Sequence, residues 1–102
     1  MGYVTCASRD EALRIGRALV EERLAACVNI VDGMTALYRW QGKIEQGSEA
    51  ILILKTRAAQ VSALTARIKA LHSYSVPCVV TWPLTQGNPD FLAWVETETS
   101  PP

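Results

Sequence analysis

Ala50-Ile51-Leu52-Ile53-Leu54 is apolar at every position and rich in branched side chains. A strand with one wet face alternates apolar and polar residues; a run apolar on both faces belongs in the middle of a sheet. The strand that contains it is expected from Ile44 to Thr56, with Gly47 and Ser48 as a candidate irregularity. Immediately upstream, Trp40-Gln41-Gly42-Lys43 is a tight-turn signal between two strand-forming runs. The run before it, Ala26 to Tyr38, carries Val28, Ile30, Val31, Leu37 and Tyr38 and reads as a long partner strand. Gly33 inside that run marks a bulge or bend.

The flanks supply the rest of the fold. Tyr3 to Ala7 reads as a short first strand. Ser8-Arg9-Asp10-Glu11 fits a capping box, in which the Ser side chain caps the first turn and the Glu reaches back. The helix it opens is expected to reach about Leu24, with Ala12, Ile15, Leu19 and Val20 as its apolar stripe. Thr56 is expected to cap a second helix, Arg57 to Leu71, in which Val61, Leu64, Ile68 and Leu71 recur at helical spacing. A last strand is expected from Val76 to Trp82. Pro77 lies inside it and cannot donate to a ladder, so this strand belongs at an edge. Asn88-Pro89 signals a short terminal helix carrying Phe91, Leu92, Trp94 and Val95.

The order β-α-β-β-α-β plus a helix predicts an α+β, ferredoxin-like sandwich with the first and third strands central. One domain is expected over residues 1–97, with 98–102 as a frayed tail. The second and third strands are about twice the length of the first. Their far half, around Leu37, Tyr38, Trp40 and Ile44, has no core of its own. A protruding two-stranded ribbon is marginal alone and its edges invite pairing, so a neighbouring subunit is the economical cover.

Composition excludes several classes. Ten basic and ten acidic residues balance in the 102-residue chain, so no bulk charge draws it to nucleic acid or a membrane surface. No apolar run is long enough to span a bilayer. Met1-Gly2-Tyr3-Val4-Thr5-Cys6 lacks the basic and apolar regions of a signal peptide, so the cytoplasm is the expected location. The three cysteines, Cys6, Cys27 and Cys78, are widely spaced and odd in number, which predicts reduced thiols.

Several stretches together resemble the CutA divalent-cation tolerance family over nearly the whole chain. They are Leu19-Val20-Glu21-Glu22-Arg23-Leu24-Ala25-Ala26-Cys27-Val28-Asn29-Ile30, Leu37-Tyr38-Arg39-Trp40-Gln41-Gly42-Lys43-Ile44, Leu54-Lys55-Thr56, Leu71-His72 and Gly87-Asn88-Pro89-Asp90-Phe91-Leu92. The resemblance implies a homotrimer in which long hairpins join sheets between subunits. It also implies a general likeness to PII signalling proteins and a link to tolerance of copper and other divalent metals. The chain departs from the family where His-Pro-Tyr-Glu-x-Pro-Glu is usual. Here the stretch is His72-Ser73-Tyr74-Ser75-Val76-Pro77-Cys78, so Ser75 and Cys78 replace two carboxylates.

Candidate metal ligands are therefore Cys27, His72 and Cys78. Thiolate and imidazole favour copper or zinc over hard cations, so a cofactor, where there is one, is expected to be copper or another soft divalent metal. Each residue also has a plainer reading. A free Cys is often a small buried hydrophobe. A His just past a helix end can meet the last carbonyls and the negative end of the dipole. Cys78 can be an ordinary strand residue, and Cys6 precedes a helix N-terminus without the second Cys of a metal loop. Arg39, Trp40 and Lys43 at the hairpin turn suit an anion or, more commonly, a neighbouring subunit. Arg23, Asn29, Tyr38, Lys55, Tyr74 and Trp82 are candidates for an inter-subunit cleft or interface.

Catalysis is not expected. Thr5-Cys6-Ala7-Ser8-Arg9 forms no glycine-rich anion cradle, and no nucleophile–base pair stands out beside a single His. An RNA-binding sheet needs stacking aromatics on its central strands, which Ala50 to Leu54 lack. The expected partners are the chain itself and a metal or small molecule, with no nucleic acid and no membrane. Two functions remain: metal binding in cation tolerance, and a PII-like signalling or scaffold trimer that takes a small molecule or protein partner in the inter-subunit cleft.

Overall fold

The computed structural model describes residues 1–102. In chain order, β1 spans Gly2–Cys6, α1 Arg9–Glu21, β2 Cys27–Trp40, β3 Lys43–Lys55, α2 Val61–Leu71, β4 Val79–Thr81 and α3 Pro89–Glu98. They build an α+β fold with one four-stranded sheet in the order β2-β3-β1-β4, antiparallel at every pairing. β1 and β3 are central and β4 is an edge, as the apolar run at Ala50–Leu54 and Pro77 predict. No helix is long and apolar enough to cross a membrane.

The core lies on one face of the sheet. Val4 and Cys6 of β1, Leu52 and Leu54 of β3, Ile15 and Leu19 of α1, and Leu64 and Ile68 of α2 are fully buried together. The alternate residues Tyr3, Thr5, Ile51 and Ile53 turn to the other face and are only half-buried. The run apolar on both sides is thus central but covered by helices on one side only. Burial of a Leu or Ile side chain contributes about 1.5–3 kcal/mol, so the uncovered face withholds a large apolar surface.

β2 and β3 overrun β1. Along β3, β1 pairs only with Ala50–Leu54, whereas the hairpin continues in register from Met34↔Glu49 to Trp40↔Lys43. In this far half Leu37 is 69%, Ile44 58% and Trp40 47% exposed. Gly33, at φ +73°, sits in the register shift between Val31 and Met34, the bulge expected from the sequence. The turn places both Gln41 (φ +51°) and Gly42 (φ +79°) in the left-handed region, as a two-residue hairpin turn matched to strand twist requires. Gln pays for that conformation where Asn does not. Gln41→Asn is expected to stabilise the fold by about 1 kcal/mol, read as a higher denaturant midpoint. A lower midpoint would refute this account of the turn.

Local chemistry departs from the sequence reading at several points. α1 stops at Glu21, not Leu24, because Arg23 turns into the left-handed region (φ +59°) and the Leu24 amide bonds back to the Leu19 carbonyl. Gly47 and Ser48 pair regularly with Ala36 and Thr35, so there is no irregularity there. Thr56 does not cap α2: its hydroxyl donates to the Leu24 carbonyl, and a 3-10 turn at Ala58–Gln60 precedes the helix. β4 begins after Pro77, so the ring lies outside the ladder. The expected fraying from residue 98 does not describe Thr99, which is fully buried. Its hydroxyl accepts from Arg57 Nε (2.9 Å), and its carbonyl accepts from Arg57 Nη2 and Gln60 Nε2 (each 2.7 Å).

Candidate functional site

The side of the sheet away from the helices holds a groove of about 560 Å³. β1 gives it Tyr3 and Thr5, the β2 arm gives Met34, Tyr38 and Trp40, β3 gives Glu49, and the segment after α2 gives Tyr74 and Cys78. Tyr38 and Trp40 share this face because side chains two apart in a strand point the same way. The Tyr74 hydroxyl donates to Glu49 Oε2 at 2.9 Å. Burial, together with that carboxylate, pushes the Tyr74 phenol up to about 12. Burial and Glu49 also raise the Cys78 thiol, which disfavours the thiolate that metals prefer.

Behind the groove wall lies a compact polar cluster. Ligand-type atoms of Cys6, Glu11 and His72 all lie within 4.8 Å of one another. Ser8 caps α1 as predicted, its Oγ accepting from the Glu11 amide (3.1 Å), but Glu11 reaches one residue past the cap: its Oε1 accepts from the Ala7 amide (2.9 Å) and not from that of Ser8. Its other oxygen accepts from the Ser73 amide at 2.9 Å. Burial alone would raise the Glu11 carboxyl; the hydrogen bonds from Ser73 and Ala7 prevail and hold it below its ordinary value. The His72 side chain is fully buried. Its Nε2 lies 2.8 Å from the Thr5 carbonyl, and its Nδ1 lies 3.1 Å from the Tyr74 amide nitrogen. A carbonyl only accepts and an amide N–H only donates, so Nε2 carries the proton and Nδ1 does not.

This cluster does not fit a metal ion. Both imidazole nitrogens are committed to backbone, and both Glu11 oxygens already accept amide hydrogens. The Cys6 thiol is fully buried and pushed up to about 12 by burial and by Glu11 and Glu49, so it stays protonated. Cys6 is accordingly expected to resist iodoacetamide at pH 8 in the native protein and to react on unfolding. Mass spectrometry locates the label, and fast native modification of Cys6 would contradict this packing.

Of the residues singled out by sequence, Tyr38, Trp40, Tyr74 and Cys78 come together in the groove, with His72 directly behind it. Cys27 does not join them. It is level with Lys55 on β3, whereas Cys6 is level with Ala50, and five residues of strand separate these levels by about 16 Å. Lys55 donates to Asn29 Oδ1 at that far end. Lys55 and Trp82 line a second groove of about 480 Å³ with Phe91 and Leu92 of α3. Arg23 pairs with Glu98 at 3.5 Å beside the C-terminal turn, and Arg39 lies near the hairpin tip, so neither reaches the first groove. Glu11 and Glu49 were not singled out as site residues. The capping box points to Glu11; no local signal points to Glu49.

The family model described as "CutA1 divalent ion tolerance protein" matches residues 1–98. The "Divalent-cation tolerance protein CutA" of Thermus thermophilus is 47% identical over 96 residues, covering 94% of this chain and 93% of that protein. The "Protein CutA homolog" of Xenopus laevis is 47% identical over 93 residues, 91% of this chain. The chain spans 62% of that relative's length and 55% of the mouse "Protein CutA". Among solved structures, the T. thermophilus protein superposes with a TM-score of 0.95 at 45% identity, covering 97% of this chain and 96% of the other. The structure described as the periplasmic divalent cation tolerance protein CutA of Archaeoglobus fulgidus gives 0.94 at 38% identity, covering 97% and 96%.

Proposed function

Because the chain belongs to the CutA1 divalent ion tolerance family, we propose that it supports tolerance of divalent metal ions as a homotrimer of ferredoxin-like subunits and without catalysis. One observation carries the reading: a hairpin that outruns its own sheet, exposing Leu37, Tyr38, Trp40 and Ile44 beside an uncovered sheet face. An apolar surface of this extent on so small a chain calls for a partner, and a second and third copy supply one of matching chemistry. The groove with Tyr38, Trp40, Tyr74 and Glu49 then lies where subunits meet.

The site's chemistry supports an absence of turnover. His72 is buried with both nitrogens occupied, and Cys6 is held as a thiol, so neither is poised as base or nucleophile. Contact with soft copper or another soft divalent metal falls to the thiols outside the core, Cys27 and Cys78. One chain holds them apart, so a site using both needs two chains. Three unpaired cysteines suit a reducing compartment, and the cytoplasm is the proposed location.

A metal-sensitive host lacking its own family member tests the proposal. Expression of the parent chain is expected to restore growth at inhibitory copper or zinc, and a soluble Trp40→Asp chain is expected not to. Failure of the parent to restore growth would overturn the functional reading.

A further inference from the structure

Glu11 and His72 together hold four backbone groups. Glu11 takes the amides of Ala7 and Ser73, and His72 takes the Thr5 carbonyl and the Tyr74 amide. Two consecutive amides of the segment after α2 are thus fixed by side chains from different parts of the fold. The same segment carries Tyr74, whose hydroxyl reaches Glu49, and Cys78. No regular element forms between Ser73 and Cys78, before β4, so the segment is held by such individual contacts. Arg14 closes the arrangement from α1, donating to the Leu71 carbonyl at 3.1 Å.

We infer that His72 is a positioning residue and not a metal ligand: with Glu11 it pins the Ser73–Cys78 segment to the end of β1 and so sets one wall of the groove. A ligating histidine keeps one ring nitrogen for the metal and gives the other to a backbone or carboxylate partner. His72 gives both to backbone. Coordination at Nε2 would orphan the Thr5 carbonyl, and coordination at Nδ1 would orphan the Tyr74 amide, in a place where the ring is wholly buried. The Nδ1 contact is also the geometry by which an Asn side chain accepts from the amide two residues on, so Asn can stand in for half of what His72 does. The inference concerns the single chain and does not depend on how many copies assemble.

The chain has one histidine, so every imidazole signal belongs to it. Long-range nitrogen–proton NMR of the full chain is expected to show the Nε2–H tautomer at neutral pH. Amide exchange at Tyr74 is expected to speed up about tenfold in His72→Ala, the loss of roughly one hydrogen bond, and to stay near the parent rate in His72→Asn. For the metal, Cu(II) is added to protein labelled with nitrogen-15 only at histidine. The nitrogen splitting in its electron paramagnetic resonance spectrum is expected to match that of unlabelled protein. A spectrum of free aquo-copper alone supports the inference equally. Three results would overturn it: a splitting that changes with the label while circular dichroism stays native, an Nδ1–H tautomer, or equal Tyr74 exchange in the Ala and Asn variants.

Discussion

Light scattering at micromolar concentration is expected to give three times the 11.2 kDa chain mass, and the double variant Leu37→Asp/Trp40→Asp is expected to give the chain mass alone. The two side chains lie on opposite faces of the hairpin's far half, 69% and 47% exposed in the single chain. Burying each against a neighbour contributes about 1.5–3 kcal/mol, and a trimer counts every contact three times. The variant removes that and places six carboxylates where subunits meet, so the loss is on the order of 10 kcal/mol per trimer or more. The same variant should melt lower, since subunit association stabilises the fold by mass action. A monomeric parent sinks the assembly. A double variant that remains trimeric shows that the contact lies elsewhere on the sheet face.

Glu11→Ala is expected to cost about 2 kcal/mol, a fall in melting temperature of roughly 10 °C, because the amides of Ala7 and Ser73 lose their acceptor together. Glu11→Gln should cost less, since its one carbonyl oxygen can still take one of the amides. The pair of variants also isolates an acid dependence. The folded-state value of Glu11 is depressed, so its contribution is complete above the ordinary Glu value near pH 4.3 and is lost as pH falls through the lower, folded-state value. Below about pH 5 the parent should therefore lose stability more steeply than Glu11→Gln. Parallel stability curves for the two proteins would show that the carboxylate is not preferentially stabilised in the fold.

The features legible in the sequence are those written in local pattern. Ala50–Leu54 announced a central strand, Gly33 a bulge, Trp40-Gln41-Gly42-Lys43 the turn, Ser8 with Glu11 a helix start, and Asn88-Pro89 another. Two of the misread features depend on partners distant in sequence. Thr56 looks like a cap until the Leu24 carbonyl is beside it. Thr99 looks like tail until Arg57 and Gln60 reach it. The candidate site divides in the same way. Tyr38 and Trp40 were legible as aromatics without a core to enter, and Tyr74 only as a candidate for a cleft between subunits. The state of His72 was not, because it is fixed by the Thr5 carbonyl 67 residues away. Nor could spacing show that Cys27 lies at the opposite end of the sheet from His72.

The strand order β2-β3-β1-β4 also has a consequence for how the chain is made. β1 leaves the ribosome first, yet both of its neighbours are encoded far downstream. Cys6 meets Ala50 only after a further 44 residues have been added; at about 5–20 residues per second that is some 2–9 s. β4 comes later still. The β2–β3 ribbon, closed by a two-residue turn, can zip within microseconds of emerging. Before that ribbon exists, β1 has neither neighbour and waits, already synthesised, on the N-terminal side of α1. During those seconds it is β1 that is open to any extended segment nearby, including the same segment of the next chain on a shared message.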